Sequence, residues 1–245
     1  MTPTSDASFA SLLSAPDRLR EVEPGIYSVL NSDAPAQPYD WRARLYDAVV
    51  GSSLYNRTMW GVDRKSYGAF AAGAALADSA GWHLDAGCGS LVFTHEIYRA
   101  ASHRPRVLVD KSLGMLRAAR ARLRATGSAA DERTILLQAD LLELPFQPQV
   151  FTTVLSMGML HLFRDSAGFV RGLTSLVTPG GSLWLTSLAR GRFCGDQYLR
   201  LLHLAGEVVA PRSVAEVQTL LAGHTGSPAV LCQEGNMLFV HLRRT

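Results

Sequence analysis

The chain predicts an α/β fold, a doubly wound and mostly parallel sheet of seven strands with a C-terminal antiparallel hairpin and a helical N-terminal cap. Three observations carry this. From residue 81 onward short apolar runs alternate with helical stretches. A glycine turn, Gly87-Cys88-Gly89, stands where the first run gives way to a helix. Near the end, two apolar runs are separated only by Glu234, Gly235 and Asn236, a hairpin signature.

Taken in order, residues 2–37 hold four prolines among small polar residues, and are expected to form an arm or cap with little structure of its own. From 39 to 76 apolar residues including Trp41, Leu45, Tyr46, Tyr55, Trp60 and Phe70 recur at three- and four-residue spacing, which predicts two or three short helices. Strands are expected at 81–86, 106–110, 134–138, 150–156 and 182–187, with helices at 95–102, 113–125 and 166–177 between them. Ser112 and Gly127 frame the middle helix as N-cap and stop. Parallel strands need crossovers, and right-handed crossovers place helices on both faces of one sheet. Helices at 197–204 and 214–222 precede the hairpin strands 229–233 and 237–242. The division this suggests is an arm and cap over 1–75 and one α/β domain over 76–245.

Composition bounds the function. The chain has 245 residues, 47% hydrophobic and 18% charged, which is globular and excludes a disordered or coiled-coil protein. A net charge of +3 is too small to make a polyanion the expected partner. Cys88, Cys194 and Cys232 are scattered, with no metal-ligand spacing and no disulfide framework, so no metal is expected. No signal peptide or membrane-length apolar run is read, and a cytoplasmic protein is the expectation. The arginines 117, 120, 122 and 124, with Arg99, Arg104 and Arg106 nearby, lack interleaved aromatics, so a solvated helix face is favoured over a nucleic-acid patch.

The chemistry concentrates at strand ends. Gly87 and Gly89 permit a tight turn with close approach of a ligand, and the following helix start would offer N–H groups to an anion. Asp110 ends the second of the five strands, twenty-one residues after Gly89, where an acidic side chain can hold both hydroxyls of a ribose. Asp140 follows the third on the same edge. Each aspartate alone reads more readily as a cap or turn residue; together, at the ends of successive strands, they mark a ligand edge.

With these residues in view, the chain resembles the class I S-adenosylmethionine-dependent methyltransferases, in particular the small-molecule branch that includes ubiquinone and menaquinone methyltransferases (methyltransferase domain types 11 and 25). The resemblance runs through HLDAGCGS, VLVDKSLGMLRAARARL, QADLLELPF, VFTTVLSMGMLHLFRD and TPGGSLWLTSL, in family order. It implies a Rossmann-like sheet, S-adenosyl-L-methionine as cofactor with S-adenosyl-L-homocysteine as product, and a small-molecule acceptor. Asp85, Gly87 and Gly89 would line the methionine end, with Cys88 as a small filler of the turn. Asp110 would bind the ribose, Lys111 and Met115 would lie near the adenosine, and Asp140 with Leu141 would meet the adenine. Ser156 and Met157 would pass beside the sulfonium, and Tyr46, Tyr55 and Trp60 are lid candidates, with core packing as the alternative for each. His161 matches a family histidine position and is a candidate base or substrate-facing group, with a capping or structural role as the alternative. His83 and His95 read as packing residues.

The chain departs from the family twice: Leu91 stands where a third glycine is usual, and Phe151-Thr152 where Phe-Asp is usual. Leu91 is expected among the first residues of the helix. Two other readings are weighed: a nicotinamide-dependent dehydrogenase, which fits poorly without a third small residue in the turn, and a methyltransferase-like protein that binds a ligand without transferring methyl groups. An RNA or protein methyltransferase is disfavoured because MLHLF follows the fourth strand, not an Asn-Pro-Pro-Tyr-like sequence.

Overall fold

The structure, a computed structural model, describes residues 8–30, 50–77, 80–125, 133–222 and 230–245. Its strands are β1 (Arg20–Glu23), β2 (Ile26–Ser28), β3 (Trp82–Ala86), β4 (Arg106–Asp110), β5 (Thr134–Gln138), β6 (Phe151–Ser156), β7 (Val177–Leu188), β8 (Val230–Glu234) and β9 (Met237–Arg243). They form one nine-stranded sheet in the order β1-β2-β5-β4-β3-β6-β7-β9-β8. The helices are α1 (Arg64–Leu76), α2 (His95–Ala100), α3 (Leu113–Ala125), α4 (Ser166–Leu176), α5 (Phe193–Leu204) and α6 (Val214–Ala222). Neighbours from β5 to β7 pair in parallel, and β9 runs antiparallel to both β7 and β8, so the expected hairpin is present.

The central strands are buried on both faces, which is why Val107 to Val109 and Ile135 to Leu137 read as continuous apolar runs. Phe169, Val170 and Leu173 of α4 pack on one face in the main core, and Leu116, Ala119 and Leu123 of α3 pack with Tyr98 and Leu108 on the other. Side-chain caps start four of these helices: Asp63 accepts from Lys65 N–H, Ser112 from Met115 N–H, Asp165 from Gly168 N–H and Ser213 from Glu216 N–H. Gly127 lies outside the described residues.

Two expectations are corrected. The seven expected strands are present, and two more lie beside β5. They come from the proline-rich arm, where β2 pairs in parallel with β5 and the fully buried Ile26 stands opposite Leu136. Glu23 pairs with Arg117 at 2.7 Å and Arg120 at 2.8 Å, so two arginines of the supposedly solvated face clamp β1 to α3. Arg104 and Arg106, each 1% exposed, are not surface residues either. Arg104 donates to the carbonyls of Ala74, Ala75 and Ala77 at the end of α1, and Arg106 to those of Tyr98 and Ala101 at the end of α2. Cations there satisfy last-turn carbonyls and complement the helix dipole. Arg104 also donates to Thr152 Oγ1 at 2.8 Å, so the residue that replaces the family's aspartate keeps a polar contact.

The cap is also partly a layer of the domain. Ala71 and Ala74 of α1 pack against Leu155 of β6, with Trp184 of β7 beside them. Before α1, a helical turn (Ser53–Tyr55) runs into a π-helical segment (Asn56–Trp60) that stops at Gly61.

Candidate functional site

Successive strands leave β3 in opposite directions, to β4 and β5 on one side and to β6 and β7 on the other. The crevice of such a sheet opens at the carboxyl ends of the strands where the order reverses, here Ala86 of β3 and Ser156 of β6. Ser156 Oγ donates to Ala86 O at 2.7 Å and holds the two ends together.

The turn after β3 carries positive φ at Gly87 (85°), Gly89 (55°) and Leu91 (64°). Four of its backbone N–H groups are already used. Those of Gly87 and Cys88 donate to Val109 O at 2.8 and 2.9 Å, that of Gly89 to Asp110 Oδ2 at 2.9 Å, and that of Leu91 to Cys88 O. At these four positions the turn is closed on itself and on β4, and the helix start that the sequence offers to an anion comes later, at His95. Leu91 is not a first helical residue but sits in the turn in a left-handed conformation, its side chain 1% exposed and packed with Tyr98, Leu108 and Leu116. That conformation costs a non-glycine residue roughly 1–2 kcal/mol, which burial of the isobutyl group offsets.

Three aspartates ring the turn. Asp85 is 2% exposed and accepts from Tyr98 OH at 2.6 Å. Burial, with Asp110 nearby, pushes its carboxyl up to about 7 against the opposing Tyr98 hydrogen bond. Asp110 accepts from Gly89 N–H through one oxygen and from Ser112 N–H at 2.8 Å through the other; burial raises it too. Asp140 is more exposed. Although burial opposes it, Lys111 Nζ at 2.7 Å and Leu142 N–H hold its carboxyl below the usual range. Lys111 and Asp140 are thus joined at the ends of β4 and β5, with Leu141 close to Gly87. Cys88 donates weakly to Gly89 O at 3.5 Å, and burial raises its thiol, which fits a filler and not a nucleophile.

The arrangement fits an adenosine sulfonium on its own geometry. A Cβ at Gly89 would meet nothing within 4 Å, so the turn faces open space there, while at Gly87 it would meet Met159 Cγ at 2.7 Å and Leu141 Cδ1 at 3.2 Å. Thr94, directly after the turn, carries the buried Oγ1 that among the described side chains has no partner. Asp110 keeps carboxylate lone pairs beyond its backbone bonds. Met159 was not foreseen. Only its three-dimensional position over Gly87 reveals it.

The other side of the crevice is apolar. Met157, Tyr55, Met59, Phe93 and Tyr198 pack against the buried Trp60, Tyr67, Leu188 and Phe239. Trp60 and Tyr198 have ring centroids 5.3 Å apart, Tyr55 meets Trp60 edge-on at 6.2 Å, and Tyr55 OH donates to Tyr198 OH at 3.3 Å. Two lid candidates therefore share a cluster with Met157; Tyr46 lies outside the described residues. Tyr198, from α5, is the one tyrosine of the segment 190–212, which the sequence offers together with the N-terminal cap for an acceptor pocket; its particular contact with residues 55–60 is visible only in three dimensions. The turn of the β8–β9 hairpin secures this side: Asn236 N–H donates to Trp60 O at 2.7 Å, and Asp63 N–H donates to Glu234 Oε1 at 2.8 Å.

His161 is arranged differently from a free base. Its Nδ1 accepts from Leu188 N–H at 3.1 Å, so the neutral ring carries its proton on Nε2. Burial and Arg212 lower its pKa to about 4. The ring lines a small recess with Ser187, Leu199 and Val208. His83 is buried and hydrogen-bonded, as read from the sequence, and His95 Nδ1 lies 3.0 Å from Leu91 O.

Residues 84–181, from β3 into β7, match the methyltransferase domain family. A ubiquinone biosynthesis O-methyltransferase from Methylocella silvestris is 31% identical over 107 residues, covering 44% of this chain and 40% of that protein, so the chain matches less than half of this relative's length. Among solved structures, an O-methyltransferase family protein from Burkholderia thailandensis superposes with a TM-score of 0.66 at 14% identity, over 83% of this chain and 59% of that one. The [4+2]-cyclase SpnF gives 0.65 at 14% identity, over 85% and 94% of the two chains. The mitomycin 7-O-methyltransferase MmcR gives 0.58 at 19%, over 86% and 69%. At these identities the likeness to solved structures is one of fold, and it is to Rossmann-like methyltransferase architecture.

Proposed function

From the methyltransferase domain that residues 84–181 match, we propose that the protein transfers a methyl group from S-adenosyl-L-methionine to a small organic acceptor by in-line displacement. The observation that carries this reading is the set of three carboxylates, Asp85, Asp110 and Asp140, at the ends of adjacent strands around a turn in which the N–H groups of Gly87, Cys88, Gly89 and Leu91 are engaged internally. A cationic nucleoside is served by carboxylates, whereas a dinucleotide's pyrophosphate is served by free N–H donors.

When bound, the cofactor supplies an electrophilic methyl group. Asp110 would hold the ribose hydroxyls, Lys111, Met115, Asp140 and Leu141 the adenosine, and Asp85, Gly87 and Gly89 the methionine end. Ser156 and Met157 would border the sulfonium, with Tyr55, Trp60 and Tyr198 excluding water and fixing the acceptor, since alignment of three atoms is the main demand of this chemistry. His161 would act as a positioning group, because its basic lone pair is committed to Leu188; service as a base would require it to release that bond. We place the arm and cap in residues 1–75 and the catalytic domain in 76–245, with β1 and β2 lent by the arm to the sheet. The setting is taken as cytoplasmic; among the described residues no helix is long and apolar enough to cross a membrane. A nucleic-acid partner is disfavoured because Arg117 and Arg120 are paired with Glu23.

Calorimetric titration with S-adenosylmethionine, S-adenosylhomocysteine and NAD tests the reading. Binding of both sulfur nucleosides, on the order of micromolar, without NAD is the expected result. Failure of both to bind would overturn it. A second reading, a catalyst of methyltransferase fold that does not transfer methyl groups, is favoured by Leu91 in the turn and by the fold likeness to SpnF. Cofactor binding without turnover across an acceptor screen would select it.

A further inference from the structure

Beneath the crevice runs a buried polar chain that the proposed chemistry does not use. His83 and Asp85 are two residues apart on β3, and so face the same side of the sheet. Tyr98 of α2, 0% exposed, reaches between them: its OH donates to Asp85 Oδ2 at 2.6 Å and lies 3.3 Å from His83 Nε2. At the far end His83 Nδ1 lies 2.7 Å from Thr153 Oγ1, its register partner on β6. The Arg106 guanidinium stands 5.0 Å from the Tyr98 ring centroid and donates to the Tyr98 carbonyl at 2.8 Å, so the ring is held from behind.

With Asp85 ionised, the polarity of the chain is determined. A carboxylate can only accept, so Tyr98 O–H must donate to it. His83 Nε2 must then carry a proton and donate to the phenol oxygen, and Nδ1 must accept from Thr153 O–H. Every group is satisfied in this one arrangement. His83 stays neutral, its pKa driven far down by burial and by Arg104 and Arg106, so it enters the chain as a directional relay and not as a charge.

We propose that Tyr98, oriented by His83 and Thr153, is a positioning residue of the cofactor site, aiming an ionised Asp85 carboxylate at the ammonium of the methionine moiety. This rests on the reading of the crevice as an S-adenosylmethionine site and adds residues from three further positions to it. The groups facing Asp85 are Tyr98 from α2, Asp110 from the end of β4, Cys88 from the turn and His83 from its own strand, with Arg106 behind Tyr98. Asp110 and burial favour the neutral acid, and Tyr98 favours the carboxylate. A ligand ammonium selects the carboxylate, so affinity should fall as pH drops through about 7, towards tenfold per pH unit.

The test is calorimetric titration with S-adenosylhomocysteine as a function of pH, together with carbon-13 carboxyl NMR titration of Asp85 in the unliganded protein, assigned with Asp85→Asn. Tyr98→Phe keeps the ring against Arg106 and removes only the O–H. It is expected to raise the midpoints of both profiles by roughly one pH unit and to lower affinity several-fold at neutral pH. Thr153→Val, at the far end of the chain, should move both midpoints the same way by less, and serves if the phenylalanine variant does not fold. Binding by the unaltered protein with unshifted profiles in both variants would overturn the role of Tyr98 while leaving the cofactor reading intact. Absence of binding by the unaltered protein at every pH would overturn the cofactor reading and this proposal with it.

Discussion

The two sides of the crevice are built by opposite means. At the ends of β3, β4 and β5 the contacts are polar and short: backbone N–H groups on Val109 and Asp110, Tyr98 on Asp85, Lys111 on Asp140. Across the switch point, at the ends of β6 and β7, the surface is aromatic and sulfur-bearing, supported by residues 53–63, α5 and the hairpin turn. Hydrogen bonds fix direction, so the first side suits one defined ligand. Apolar rings give area without direction, so under the proposed function the second side suits a range of acceptors on one scaffold.

The largest expected effect breaks the apolar side alone. A Cβ at Gly235, which has a φ of 58°, would collide with the carbonyl oxygens of Trp60 and Gly61, both backbone atoms that cannot swing away. Gly235→Ala should cost about 2–4 kcal/mol in urea unfolding through that collision and the left-handed strain. Residual folded protein should bind S-adenosylhomocysteine nearly normally while methyl transfer collapses; equal loss of both would show that the two sides are not separable.

Next comes the polar side. Asp110→Ala should weaken S-adenosylhomocysteine binding at least tenfold, about 1.4 kcal/mol, since it removes both the proposed ribose acceptor and the brace on Gly89 N–H. Unchanged affinity in calorimetry would contradict the ribose role.

Leu91→Gly should give a smaller effect. Relief of the left-handed strain offsets part of the lost burial, leaving a net destabilisation of about 1–2 kcal/mol in denaturant titration, below the usual large-to-small core range. Because the side chain packs with Tyr98, any loss of S-adenosylhomocysteine affinity should be smaller than that of Tyr98→Phe. The smallest change is expected for Lys111→Ala: loss of a mostly exposed ion pair should alter stability by less than about 1 kcal/mol, and the effect should shrink further in high salt.

The contrast also explains what the sequence disclosed. Asp85, Gly87, Gly89, Asp110 and Asp140 sit at ends of strands that read clearly as apolar runs, so a local pattern placed them. Strands β4 and β5 have the very bounds that periodicity indicated, and helices α3 and α6 begin where it placed them. The apolar side resisted because its contacts join residues far apart in the chain, Tyr55 with Tyr198 and Trp60 with Asn236. The strands β1 and β2 were hidden by their length of four and three residues and by the Pro24-Gly25 turn between them, which reads as loop. Burial of Arg104 and Arg106 was hidden for another reason: arginine is mostly exposed, and only the two helix ends that converge on these positions repay their desolvation.

The short strands from the arm have one more consequence, for behaviour in concentrated solution. Without them β5, Thr-Ile-Leu-Leu-Gln, would be the rim of the sheet, an apolar ribbon with unpaired backbone groups open to a second molecule. With them, the rim is β1, four residues long, charged at Arg20, Glu21 and Glu23 and broken in register between Glu21 and Glu23. A rim of that kind is a poor template for pairing between molecules. A variant trimmed to begin after Ser28 should therefore show concentration-dependent aggregation in light scattering, even where its crevice is unchanged.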